Sequence, residues 1–389
     1  MTDSPLRGLT WGHRRAIDPL RASAAAFEAE TGIRIDWRVR SLSAFEHQSL
    51  EEAARAVDLI VYDHPHLGAI VRSGALRPLE ECLATIPDAL DPRSYIGPSL
   101  ASYAMDDHLW AVPVDGATIH GLHRPDLLRQ LCGKPPKDWS EAIAFMRKLK
   151  KAGFISLLAG RNHHPLLTLA SLMANIGSPW PNGRGSIFHL DRDALQIGIG
   201  LLDEALDASE RAASLAADAI DVHERLANDP KAAYCPAVYG YAVYGEAGLW
   251  PHRLGFSPFP GPFRGPSGTA IGGAGVGITF ACGDLAGAQA YVKHLATAGT
   301  QRDIFAANAG QPARSEAWSD PAIDVAFGGY FSSVRDTVEQ AWMRPRFDGY
   351  SQLEQDLAQL LQQHFAGDAS VAATVRAMME RADQVGVMA

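Results

Sequence analysis

Cysteine is scarce in this 389-residue sequence: Cys82, Cys132, Cys235 and Cys282 stand far apart, without a C-x-x-C pair or metal-ligand spacing. Four isolated thiols suit a reducing compartment better than an oxidising one. Positive charge is also short. A formal net charge of −9 argues against a nucleic-acid surface, which needs a concentrated basic face. The basic group Arg147-Lys148 with Lys150-Lys151 falls at the end of a predicted helix, where the carbonyl end of the dipole favours cations. No apolar run is long enough to span a bilayer, which argues against membrane insertion. Only MTDSP precedes the first predicted strand, so the chain reads as cytoplasmic as given, and as periplasmic if a leader has been removed. G-x-S-x-G, H-E-x-x-H and P-loop patterns are missing, which removes the usual hydrolytic and nucleotide templates. There is no tandem repeat.

What is present describes a globular α/β protein. Hydrophobic residues make up 47% and charged residues 20%, and the length calls for two or three domains. Leu6 to Trp11 reads as a strand ending in Gly12-His13-Arg14-Arg15. A helix is expected from about Asp18, with Leu20, Ala24 and Phe27 on one face and Gly32 as its stop. Ile33 to Val39 alternates like a half-buried strand, and Ser43 with Glu46 forms a capping box. Val57 to Val61 is an unbroken apolar run, suited to a parallel strand covered on both faces, ending at Tyr62-Asp63-His64-Pro65-His66. This is a doubly wound pattern, in which ligands gather beyond the carboxyl ends of the strands.

Further along, Arg124 to Leu131 reads as helical, and Ser140 is expected to cap a helix whose Ile143, Met146 and Leu149 face inward. Pro179 to Ser186 is a turn-rich loop, Leu201 to Ala217 an amphipathic helix, and Leu353 to Phe365 a terminal helix. A Gly/Pro-rich passage runs from Gly255 to Gly268. From Gly265 to Arg314 a glycine-dense loop enters an apolar strand, two short helices follow, and Gly310-Gln311-Pro312 closes the segment.

That order resembles the late crossover of bacterial solute-binding proteins, the receptors of ABC importers. Two other stretches are similar to the family. Trp110-Ala111-Val112-Pro113 matches its "W-x-x-P" crossing strand. Pro135 to Glu141 resembles its "P-x-T-W-x-E" helix entry, with Lys137-Asp138 in place of the usual polar residue. The resemblance covers nearly the whole chain in order, through individually loose motifs. It implies a two-lobed fold of the periplasmic-binding-protein type, each lobe a doubly wound sheet flanked by helices. The first lobe would hold 1–112 with 256–312, and the second 113–255 with 313–389. It also implies a monomer that takes a small polar organic solute, a sugar or related compound or an anionic one, with an ABC permease as partner and no cofactor or catalysis. A cytoplasmic sensor or carrier, or an enzyme on the same scaffold using Cys235 on a tyrosine-lined turn, stands as the alternative.

Candidate ligand residues follow from strand ends and from aromatic and charged chemistry. Trp11, His13 and Arg14 end the first strand; Asp63, His64 and His66 end the third; Asp115 closes the crossing strand. Asp63, His64, His66 and His13 also offer metal-ligand atoms, but His-Pro-His is no recognised closed site, and a capping or solvent-facing role or a ligand hydrogen bond is weighed above a metal. Trp11, Trp180, Tyr239 and Tyr241 offer flat faces suited to sugars, against core packing as the plain alternative. The resemblance implies that Gly272 and Gly273 let the backbone approach a ligand and offer it their amides, against close backbone packing as the plain alternative. Arg14, Arg314 and Arg344 could grip a carboxylate or phosphate, against a surface arginine as the plain alternative.

Overall fold

The computed structural model describes residues 4–131, 133–181, 187–262 and 268–385. Cys132, residues 182–186 of the turn-rich loop and the 265–267 start of the glycine-dense stretch lie outside the described residues. The main strands in chain order are β1 (Leu6–Trp11), β2 (Ile35–Arg40), β3 (Leu59–Tyr62), β4 (Leu76–Arg77), β5 (Val112–His123), β6 (Ile155–Ser156), β7 (Ala232–Tyr239), β8 (Gly255–Ser257) and β9 (Ile271–Thr279). The principal helices are α1 (Arg14–Thr31), α2 (Leu67–Ser73), α3 (Trp139–Lys151), α4 (His164–Ile176), α5 (Arg192–Ala208), α6 (Ala219–Asn228), α7 (Leu285–Ala296), α8 (Tyr350–Ala366) and α9 (Val371–Asp383).

The chain divides into two compact units. One comprises Met1–Ala117, Gly272–Ile323 and Arg346–Gly349; the other comprises Thr118–Ile271, Asp324–Pro345 and Tyr350–Ala389. These borders differ from the expected 112, 255 and 312. The crossing segments are strands, β5 and β9, and the chain changes unit inside β5 and at the start of β9 rather than in the turns beside them.

In the first unit β1 runs parallel to β2, from Leu6 opposite Ile35 to Trp11 opposite Arg40, and parallel to β3 on its other side. β9 adds antiparallel to β3, with Gly275 opposite Tyr62 and Ile278 opposite Leu59. The all-apolar β3 is therefore enclosed, and Leu59, Ile60, Val61 and Tyr62 are each fully buried. Each such side chain contributes about 1.5–3 kcal/mol of transfer free energy. α1 covers one face through Leu20, Ala24 and Phe27, all buried. It starts at Arg14, four positions before the expectation, because the His13 side chain caps it by accepting from the Arg15 amide. Gly32 ends it at φ 75°, its N–H bonded to the Glu28 carbonyl. The expected Ser43–Glu46 capping box is replaced by Ser41, which accepts from the Ala44 amide.

In the second unit β5 is central, antiparallel to β8 and β7, and β6 pairs parallel with β7. Helix α3 is capped by Asp138 rather than Ser140, which lies inside the helix. Its Ile143, Met146 and Leu149 are buried as the stripe predicts. The expected helix from Leu201 to Ala217 is two: α5 begins ten residues upstream at its Asp191 cap, and Ser209 separates it from a short helix Arg211–Ala216. The terminal helix extends over Tyr350–Ala366 rather than Leu353 to Phe365, and α9 follows it. Among the described residues no helix is long and apolar enough to cross a membrane.

Candidate functional site

In the first unit the carboxyl ends of β1 and β3 bring several of the expected residues together. Trp11 ends β1 with its ring against Phe45, centroids 4.7 Å apart. The Trp11 indole Nε1 and the neighbouring Thr10 hydroxyl are buried and have no hydrogen-bond partner among the described residues. His13 accepts the Arg15 amide proton at Nδ1 over 3.1 Å. Burial, reinforced by the Arg15 and Arg14 guanidiniums, lowers its pKa to about 3, so its imidazole is neutral at physiological pH. Arg14 is partly exposed and lies 3.7 Å from Asp18 one turn on.

Arg15, which the sequence did not single out, makes the strongest contact of the group. Its Nε donates to Asp115 Oδ2 at 2.7 Å and its second nitrogen donates to the other carboxylate oxygen; both side chains are about 5% exposed. Asp115 is thus committed to Arg15 and is not a bare carboxylate waiting for a ligand. Burial pushes its pKa up, Arg15 opposes this, and the charge of Asp63 adds to the rise. Asp63 therefore lies within electrostatic reach of Asp115. Asp63 itself accepts from the His64 amide at 2.8 Å and sits 3.0 Å from His64 Nδ1, while His64 is buried with its ring edge-on to Tyr103. His66 ends the same short turn, half-buried.

Gly273 joins this cluster through its backbone. It adopts φ 104°, and a Cβ there would stand 2.1 Å from the Asp115 carbonyl oxygen. Strand-to-strand approach accounts for the glycine. Gly272 beside it is half-buried. Two buried glutamines, also missed from sequence, hold the nearby crossings. Gln301 donates to the Pro113 carbonyl at 2.8 Å and accepts from the Ala313 and Arg314 amides at 3.0 Å. Gln311 donates to the Gly116 carbonyl at 2.7 Å. No local pattern marks them, since every partner is distant in sequence or on the backbone.

The arginine expectations are corrected. Arg314 is 2% exposed, bonded to Glu316 at 2.8 Å and the Asp88 carbonyl at 3.1 Å, and lies over the Tyr95 ring. Arg344, in the second unit, is 3% exposed and faces Glu354 at 3.5 Å. Both guanidiniums are engaged by the protein itself.

The aromatic candidates of the second unit separate. Tyr239 ends β7 half-buried and donates to the Ala270 carbonyl at 3.4 Å. Tyr241 is core, packed on His223 and Tyr244. Trp180 is 3% exposed and edge-on to Phe188. Cys235 is not on a turn: it lies within β7, fully buried, and burial pushes its thiol pKa up to about 12. Burial there disfavours the thiolate that a nucleophilic role needs. A cavity of about 670 Å³ opens in this unit among Leu157, Arg161, Asp221, Glu224 and Arg225. Its charges pair along its own wall, Arg161 with Asp221 at 2.9 Å and Arg225 with Asp229 at 2.7 Å, and it contains none of the expected ligand residues.

Fold and sequence together define the class. Residues 22–326 match the family model of bacterial extracellular solute-binding proteins, and the chain belongs to that family. No protein of curated function is significantly similar in sequence. Among solved structures, the chain resembles maltose-bound MalE3 of T. maritima at TM-score 0.83 and 15% identity, covering 98% of this chain and 99% of that one. A solute-binding protein of Thermotoga lettingae with bound α-D-tagatose follows at 0.82 and 15%, covering 98% and 100%. One of Agrobacterium radiobacter K84 in complex with ribitol stands at 0.81 and 18%, covering 98% and 99%. The fold is that of the two-lobed, MalE-like binding proteins.

Proposed function

We propose that the chain is the receptor of an ABC importer for an uncharged, polyhydroxylated solute, a sugar or sugar alcohol. The observation that carries this is the self-compensated charge at the carboxyl ends of β1 and β3. There Arg15 neutralises Asp115, His13 is neutral, and Asp63 contacts His64. Such a surface offers hydrogen-bonding atoms to hydroxyl groups, and its buried guanidinium, Arg15, is already committed to Asp115. The maltose, tagatose and ribitol carried by the structural neighbours belong to the same chemical class.

The first unit would contribute Trp11, His13, Arg14, Asp63 and His66 to capture, and the second Tyr239. The units would turn about the passages at 117/118, 271/272 and 323/324. Closure follows if the solute contacts both units only in the shut form, because a ligand shifts an equilibrium by its differential affinity alone.

Calorimetric titration with maltose, D-tagatose, ribitol and D-mannitol, set against D-glucuronate, tests the reading. One of the neutral compounds should bind. Asp63→Asn should weaken it about tenfold, the loss of a charge-assisted hydrogen bond worth ~1.5 kcal/mol. Binding of glucuronate alone, or of none of the five, would overturn it.

A further inference from the structure

Each unit is built from three segments, so the chain passes between them five times. The last two passages enclose only Arg346–Gly349, which belongs to the first unit while Pro345 and Tyr350 on either side belong to the second. This short segment is firmly seated. Arg346 Nη1 donates to three backbone carbonyls of the first unit, Ala101 at 2.9 Å, Ser102 at 3.0 Å and Ala104 at 2.8 Å. These carbonyls end a helical turn, where a cation is favoured. Asp348 pairs with Arg72 on α2 at 2.7 Å. The strap's backbone lies directly on α2 as well: a Cβ at Gly68 would stand 2.2 Å from the Arg346 carbonyl oxygen and 2.4 Å from the Asp348 nitrogen.

Its two flanks are held just as closely by the second unit. Arg344 and Tyr350 are both buried and both contact Glu354, at 3.5 Å and 3.0 Å. Between them Gly349 is exposed and adopts φ 91°, a left-handed conformation that favours glycine.

We infer that residues 346–349 are a strap that limits how far the two units swing apart, with Arg346 as its buckle. Its use in solute uptake rests on the hinge-capture reading above; its mechanical role does not. Unbuckling releases slack, so the ligand-free ensemble widens and its binding-competent fraction falls.

The test places spin labels on p-acetylphenylalanine at the exposed positions Arg38 and Ile197, one in each unit, and measures the distance distribution without ligand. Arg346→Ala should shift the distribution to longer distances and broaden it. Gly68→Ala should do the same by pushing the strap off α2 while leaving Arg346 in place. Arg72→Ala, at an exposed site, should give a smaller change in the same direction and serves if the buried variants do not fold. Distributions that match the wild type in the folded variants would overturn the strap. Adding maltose, ribitol, D-tagatose or D-mannitol to the wild type is the separate arm. If none of them moves the distribution, hinge capture of such solutes fails, whatever the ligand-free comparison gives.

Discussion

Arg15 and Asp115 are a hundred positions apart in sequence and meet in the interior with almost no exposure. Removing one partner of such a pair leaves a bare buried charge. Arg15→Ala is therefore expected to cost about 3–5 kcal/mol in urea unfolding of the first unit. The double variant Arg15→Met with Asp115→Leu should recover most of that loss. A cost below about 1 kcal/mol for the single variant would mean that water reaches Asp115. This pair also shows what sequence withholds. Trp11, His13 and Asp63 were legible because strand ends are marked by periodicity and their chemistry is local. Arg15 was not, because nothing in a helix's first turn announces a partner on a strand so far away. Cys235 was misread for the opposite reason. Neighbouring tyrosines and Pro236 suggest a turn, yet the proline sits where the pairing of β5 and β7 shifts register, and a strand tolerates proline at such a bulge.

At the level of elements, type and apolar stripe were legible and boundaries were not. The run ending β3 and the inward faces of α1 and α3 follow from spacing that burial alone dictates. Caps are chosen among adjacent polar residues, and packing decides between them. Ser41 prevails over Ser43, and Asp138 over Ser140. The start of α5 was missed since Gly198 and Gly200 count against a helix in isolation, although Gly198 packs tightly on Leu169. Asp138→Ala should accordingly cost about 1 kcal/mol in thermal or urea unfolding, and Ser140→Ala less than about 0.5 kcal/mol. Equal losses from the two would return the cap to Ser140.

For the molecule as a whole, acid should be the sensitive direction. His123 is buried, and burial lowers its pKa from 6.5 to about 4; His13 falls to about 3 for the same main reason. In both cases the folded state holds the neutral form. The unfolded chain takes up protons below about pH 6.5 that the fold refuses, so stability is complete above that value and declines as the pH drops toward 4. For His123 alone the decline reaches about 3 kcal/mol at the bottom of the window. Urea midpoints taken from pH 7.5 to 4.5 should fall steadily, and a His123→Leu variant should show a shallower slope. A flat profile would place both imidazoles in water.

β3 is sandwiched between β1 and β9, and β9 starts only at Ile271, after most of the second unit has been written. During translation the ribosome therefore delivers an entirely greasy ribbon with one bare rim long before its rightful neighbour exists. Such a rim pairs readily with the wrong chain. The nascent polypeptide must be shielded until that late stretch has emerged, and the interleaved order of segments makes assembly of the first half one of the last events of synthesis.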